Sequence, residues 1–127
     1  MKKIIASFLG GTIASVLNTI VEYISDTNEF YRVEGSHKIL STPAIFFVLW
    51  IFLAGIYALG SFRVRNIFLY IVIGIIGGWI LDFLGWKLGI LVIEEKGNPI
   101  INATVWLVLV PTTVLLSHLF NKIFSKS

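Results

Sequence analysis

Residues 67–93 read IFLYIVIGIIGGWILDFLGWKLGILVI, and only Asp82 and Lys87 interrupt the run with charge. A bilayer core of roughly 30 Å is crossed by about 20 apolar residues in helical form, so this stretch is more than long enough to span. Its excess length has two explanations. Either the helix tilts and Lys87 snorkels outward, or the helix ends near Trp86 and an irregular stretch runs on to Ile93. Working outward, residues 4–24, 43–62 and 100–120 repeat the apolar length. The expected fold is all-α: a polytopic integral membrane protein with four transmembrane helices in an antiparallel bundle. One membrane domain takes up residues 1–127, and the longest polar piece, the outer loop 25–42, is too short for a soluble domain.

Composition points the same way. Hydrophobic residues make up 57% of the chain and charged residues 13%, against roughly a quarter charged in an average soluble domain. Cysteine is absent, which excludes disulfides, thiolate metal sites and cysteine nucleophiles. His37 and His118 alone are too few for an ordinary zinc site. No metal, cofactor or nucleic-acid partner is expected.

The net charge of +3 is strongly segregated. With both termini cytoplasmic, Lys2, Lys3, Arg63, Arg65, Lys122 and Lys126 lie inside, outnumbering Arg32, Lys38 and Lys96 outside, as the positive-inside bias requires. The loop acids Asp26, Glu29, Glu34, Glu94 and Glu95 all fall outside. The expected location is a plasma or inner membrane, with anionic lipid drawn to the basic face. The apolar run after Lys3 is longer than a signal-peptide core of roughly 7–15 residues, so it reads as a retained first span.

Thr42 before Pro43 and Asn98 before Pro99 each place a capping side chain next to a proline at the first helical position, marking the starts of the second and fourth helices. Gly60, Ser61, Arg63, Val64 and Arg65 form a tight inner turn, so the second and third helices should pair as a hairpin. Tyr23, Trp86 and Trp106 fit an outer aromatic belt and Tyr70 an inner one. No internal repeat is present.

Glu22 and Asp82 are the intramembrane carboxylates. On the first span Ser7, Gly11, Ser15, Asn18 and Glu22 recur within an arc of roughly 80°. Such a stripe of small and polar groups faces protein or water rather than lipid. On the third span Gly74, Gly78, Gly85 and Gly89 form a second small-residue face, with Asp82 at its edge beside Trp79 and Trp86. At about 1.5 Å per residue, Asn18 and Asp82 reach roughly 22 and 24 Å from the inner side, a common level. The two faces are therefore expected to pack against each other, or against copies of themselves, gathering Asn18, Glu22 and Asp82 into one polar cluster. A carboxylate at that depth must be protonated, hydrogen-bonded or wet, and Asp82 is the leading functional candidate. The competing structural role is an Asp bonded to Asn18 or to an indole N–H.

Pro111 should kink the fourth span by freeing the carbonyl of Leu107, with Thr112 and Thr113 placed to compensate. His118 lies too far in depth from Asp82 for a Ser/His/Asp relay. His37, near Asp26, Glu29 and Glu34, is a weak candidate for acid-base or cation chemistry. Asn102-Ala103-Thr104 matches the glycosylation pattern but sits inside a span, where a glycan has no room.

Nucleotide, dinucleotide and catalytic motifs are missing. The leading expectation is a non-enzymatic structural or accessory subunit of a membrane complex. The alternative is a homo-oligomeric ion or small-solute transport module using an intramembrane carboxylate, and the third is a lipid-modifying enzyme; lipid-binding or sensing roles stand behind these. Partners are the bilayer and either further copies or a different membrane protein.

Overall fold

Helix formation follows the apolar runs, and capping chemistry sets where each helix stops. In a computed structural model that describes residues 1–126, the order is α1 (Lys2–Thr27), β1 (Tyr31–Val33), β2 (Lys38–Ile39), β3 (Thr42–Pro43), α2 (Ala44–Gly60), a 3-10 turn (Ser61–Arg63), α3 (Ile67–Lys87), β4 (Leu91–Ile93) and α4 (Pro99–Ser125). With α2 extended through the 3-10 turn, all four helices are long and apolar enough to cross a membrane. Their outer faces are correspondingly oily: Ile45 is 73% exposed, Phe68 74% and Leu115 63%. A chain of this size in water would not leave so many such groups uncovered.

Two helix starts are made by asparagine. Asn98 accepts a bond from the Ile101 N–H at 3.1 Å with Pro99 in the first turn, and Asn66 accepts one from the Leu69 N–H at 3.1 Å. The start of α2 differs from the expectation. Its first residue is Ala44, Pro43 is the cap without a side-chain bond, and the Thr42 hydroxyl is committed elsewhere.

The end of α3 resolves the ambiguity over residues 87–93. The helix stops at Lys87, Gly89 takes φ +77°, the Gly89 N–H donates to the Trp86 carbonyl at 3.2 Å and the Ile90 N–H to the Gly85 carbonyl at 2.9 Å. This is a Schellman closure, which needs a residue free of the Cβ penalty at the left-handed position. Lys87 lies over the rings of Trp86 and Phe83, 5.1 and 5.6 Å from their centroids. Beyond the turn the chain folds back, and β4 pairs antiparallel with β1, Val33 opposite Leu91 and Tyr31 opposite Ile93. The 25–42 loop therefore carries regular structure, with β2 and β3 forming a second small hairpin into α2. Strand pairing satisfies backbone groups that would otherwise lie bare beside apolar helix ends.

The helices are unequally packed. α1 is central and packs along both α2 and α4, whereas α3 touches mainly α4. The expected meeting of the α1 and α3 faces is thus not what the chain does. The α1 stripe is a seam to α2: a Cβ on Gly11 would stand 2.8 Å from the Gly55 nitrogen and 2.9 Å from the Ile51 carbonyl, and the Ser15 hydroxyl donates to the Phe47 carbonyl at 2.8 Å. Gly10, one residue away, faces α4, where its Cβ would collide with the Ser117 hydroxyl. Ser7, lower on the same stripe, is fully buried. Helices this apolar gain little by hiding from one another, so close backbone approach and the occasional interhelical bond, worth about 0.6 kcal/mol each, hold them.

α4 runs unbroken through Pro111, with the Thr112 and Thr113 hydroxyls donating to the carbonyls of Val108 and Leu109 at 2.6 and 2.7 Å. At the opposite end from the strands, Ser61 and His118 share a 2.9 Å hydrogen bond, Phe62 stacks on the His118 ring and Lys3 lies over Phe62. Lys2, Arg63, Arg65, Lys122 and Lys126 are all exposed at this end.

Candidate functional site

α2 and α3 are joined at one end and spread apart toward the other. The join is reciprocal: the Tyr57 hydroxyl donates to the Tyr70 carbonyl at 2.6 Å, the Tyr70 hydroxyl donates to the Tyr57 carbonyl at 2.5 Å, and the two rings stack with centroids 4.5 Å apart. Gly74 makes room for the Tyr57 ring and Gly78 for the Trp106 indole. Above the clasp lies an apolar cleft of 440 Å³ floored by α4. A second cavity of 360 Å³ adjoins it near the strands, and Trp50, Leu53, Ala54, Leu81, Trp106 and Leu109 line both. Together they form a wedge whose length, from Gly74 to Asp82 along α3, is about 12 Å.

The polar groups gather at the wide end, where Asn18, Glu22, Asp82 and Asn102 line the upper cavity beneath Tyr31 and Leu91 of the strands. They form two separate arrangements. Glu22, 6% exposed, accepts from Asn18 Nδ2 at 2.9 Å on Oε1 and from the Thr42 hydroxyl on Oε2. Both of its oxygens are occupied, which ties the last turns of α1 to the segment entering α2. Asp26 repeats the tie one turn later by accepting from Ser41 at 2.9 Å. Asp82 belongs to the other side. Asn102 Nδ2 donates to its Oδ2 at 2.5 Å and Trp106 Nε1 donates to the same oxygen at 2.7 Å. Among the described residues no donor reaches Asp82 Oδ1, and the carboxyl is only half-buried, lining a smaller outer cavity as well.

Several expected roles change. The indole that meets Asp82 is Trp106, not Trp79 or Trp86; Trp79 donates instead to the Ala103 carbonyl at 3.0 Å. Of the four glycines on the third span, Gly74 and Gly78 accept aromatic rings, but Gly85 and Gly89 do not belong to a helix-packing face. A Cβ on Gly85 would only touch Leu91 at 3.5 Å, and one on Gly89 would meet nothing within 4 Å, because both sit in the turn that ends the helix. Asn102, which sequence treats only as part of a glycosylation triplet, is 7% exposed and holds Asp82. Its signal was available: Asn102 and Trp106 stand four apart, one helical turn, inside an apolar span.

A lid of paired strands closes the wide end. Arg32 bonds Glu34 at 2.6 Å and Glu94 at 3.3 Å, and Lys96 pairs with Glu29 at 3.6 Å, binding the loop after α1 to the loop after α3. Tyr31 is 3% exposed, and burial pushes its phenol well above the ordinary range, so it serves as a neutral wall of the cavity. His37 lies exposed on the hairpin rather than in the cavity. Chemically the site offers an oily slot, aromatic walls, one carboxyl that is fully bonded and one that has an oxygen to spare. Compared with known proteins, the chain matches no family model, no curated protein and no solved structure.

Proposed function

We propose that this chain is a membrane-embedded binding module that takes an amphipathic molecule sideways from the bilayer into the wedge between α2 and α3, seating its polar end at Asp82. The observation that carries this reading is that the apolar cleft adjoins, across shared lining residues, a cavity whose wall carries the half-satisfied Asp82 carboxyl. Ligand sites are mostly apolar concavities with a few convergent polar groups. The clasp of Tyr57 and Tyr70 closes the foot of the wedge, which suits holding a molecule more than passing one through. In this reading the strand lid faces outward, and both termini, with Lys2, Lys3, Arg63, Arg65, Lys122 and Lys126, lie on the cytoplasmic side of a plasma or inner membrane against anionic headgroups. Single cysteines at Glu29, Lys96, Val64 and Ser125 test that orientation: the first two should react with an impermeant thiol reagent from outside and the last two only after lysis.

The binding reading is tested by fluorescence. In a Trp79→Phe, Trp86→Phe background only Trp50 and Trp106 remain, and both line the wedge. An alkyl alcohol carrying bromine on its chain should quench them saturably in maltoside micelles, and Ala54→Phe, which fills the slot, should abolish the saturable part. Quenching that rises linearly with probe and ignores Ala54→Phe would refute the site.

The accessory-subunit reading keeps one specific support. α3 is the least covered helix, with 11% of its apolar window buried against 39% for α1. A helix from another copy or another protein would fit beside it, and cysteine crosslinking from Ile80 would capture such a neighbour.

A further inference from the structure

The wedge gathers two carboxyl groups that no basic side chain in its lining pairs. Glu22 and Asp82 both line the upper cavity, yet no lysine, arginine or histidine lines it. Among the described residues the ion pairs are those of Arg32 with Glu34 and Glu94 and of Lys96 with Glu29, all in the lid. Lys38 is the cation whose field reaches Glu22, but it is exposed on the hairpin and makes no ion pair. The donors on the two acids, Asn18, Thr42, Asn102 and Trp106, are all neutral.

Aromatic rings form part of the walls around these acids. Tyr31, Phe46, Trp50 and Trp106 line the same cavity, with Trp50 and Trp106 edge to face, centroids 5.4 Å apart at 72°. Ring faces attract cations, most strongly where water is excluded, and quaternary ammonium groups are recognised by such surroundings. An anion would face two carboxyl groups with no basic side chain to receive it, and a neutral head would leave the ring faces and the spare Asp82 oxygen without a complementary charge.

We infer that the molecule held in the wedge is an amphipathic amine: an alkyl or acyl chain in the cleft below and a primary or quaternary ammonium at the level of Asp82, beside the Trp50 and Trp106 pair. This rests on the wedge being a binding site and names the chemical class it selects. Asp82 supplies the open oxygen, whereas Glu22 has both oxygens bonded within the protein.

The test compares heads on one brominated twelve-carbon chain: trimethylammonium, hydroxyl and carboxylate, each titrated as mole fraction in maltoside micelles against Trp50 and Trp106 fluorescence. The ammonium probe should half-saturate at about tenfold lower mole fraction than the alcohol, with the carboxylate weakest. Asp82→Asn should erase that preference, so that the ammonium and alcohol probes half-saturate at the same mole fraction. The comparison of heads in the unaltered cavity requires no change at either acid, so it decides the matter even if Asp82→Asn fails to fold. Ammonium and alcohol binding alike would overturn the cationic class and leave the wedge as a site. Tighter binding of the carboxylate would overturn it too, and no saturable quenching by any head would remove the site along with it.

Discussion

The two sides of α2 are built on opposite principles. Toward α1 the helix approaches so closely that Gly11 and Gly55 meet backbone to backbone. Toward α3 it touches at the Tyr57–Tyr70 clasp and then separates around a wedge lined by large rings. The same contrast divides the acids. Glu22, on the seam, is buried with both oxygens bonded; Asp82, on the wedge, keeps one oxygen unclaimed by protein. A tight seam of α1, α2 and α4 gives the rigid frame that a precise cavity needs, and α3 hung on one flank leaves space for a guest.

The sharpest way to break this contrast is to add the same side chain on each side. Gly11→Leu should cost about 3 kcal/mol or more, because Leu would have to displace the α2 backbone rather than a flexible side chain. It should be visible as a large loss of thermal stability in detergent. Gly77→Leu, placed where a Cβ meets nothing, should change stability by less than about 1 kcal/mol while blocking saturable probe quenching. Equal losses at the two positions would show that seam and wedge are not distinct.

A smaller effect separates the acids. Thr42→Val keeps the shape but leaves Glu22 Oε2 without its donor in a buried place, and should cost about 1–3 kcal/mol in a denaturation titration. Trp106→Phe removes one donor from the half-buried Asp82 and should cost only about 1 kcal/mol, with the larger change in probe affinity. If Trp106→Phe proved the more destabilising of the two, Asp82 and not Glu22 would be the structural acid.

The smallest expected effect lies in the β2–β3 hairpin. Leu40 is 58% exposed and held at φ +56°, a left-handed conformation that costs an ordinary side chain roughly 1–2 kcal/mol. Leu40→Gly should raise the melting stability by about 0.5 kcal/mol after the added chain entropy of glycine is subtracted. No gain would mean that Leu40 contacts offset the strain.

Particular residues show how far sequence reached. Asn98 with Pro99 was legible as a helix start because capping is local, needing only neighbours in the chain. Thr42 with Pro43 looked the same and was not a cap, because a partner twenty residues away, Glu22, takes the hydroxyl. Gly89 was open to either role, since a glycine at helical spacing and a glycine closing a helix differ only in φ. The α1 stripe was visible as a seam, but small residues mark only that something comes close, not whether α2, α3 or α4 does so. The short strands left little trace, for three residues that merely cross another loop carry no periodicity.

Sequence by itself determined the number and approximate position of the apolar helices, the basic and acidic ends, and the presence of two carboxyl groups that must be sheltered, because each follows from the chemistry of residues adjacent along the chain. Tertiary structure alone decided which helix shelters which acid and where the empty space lies. Apolar helices have no hydrophobic preference among one another, so their choice of neighbour rests on the fit of particular rings into particular glycines, and that fit exists only once the helices are side by side.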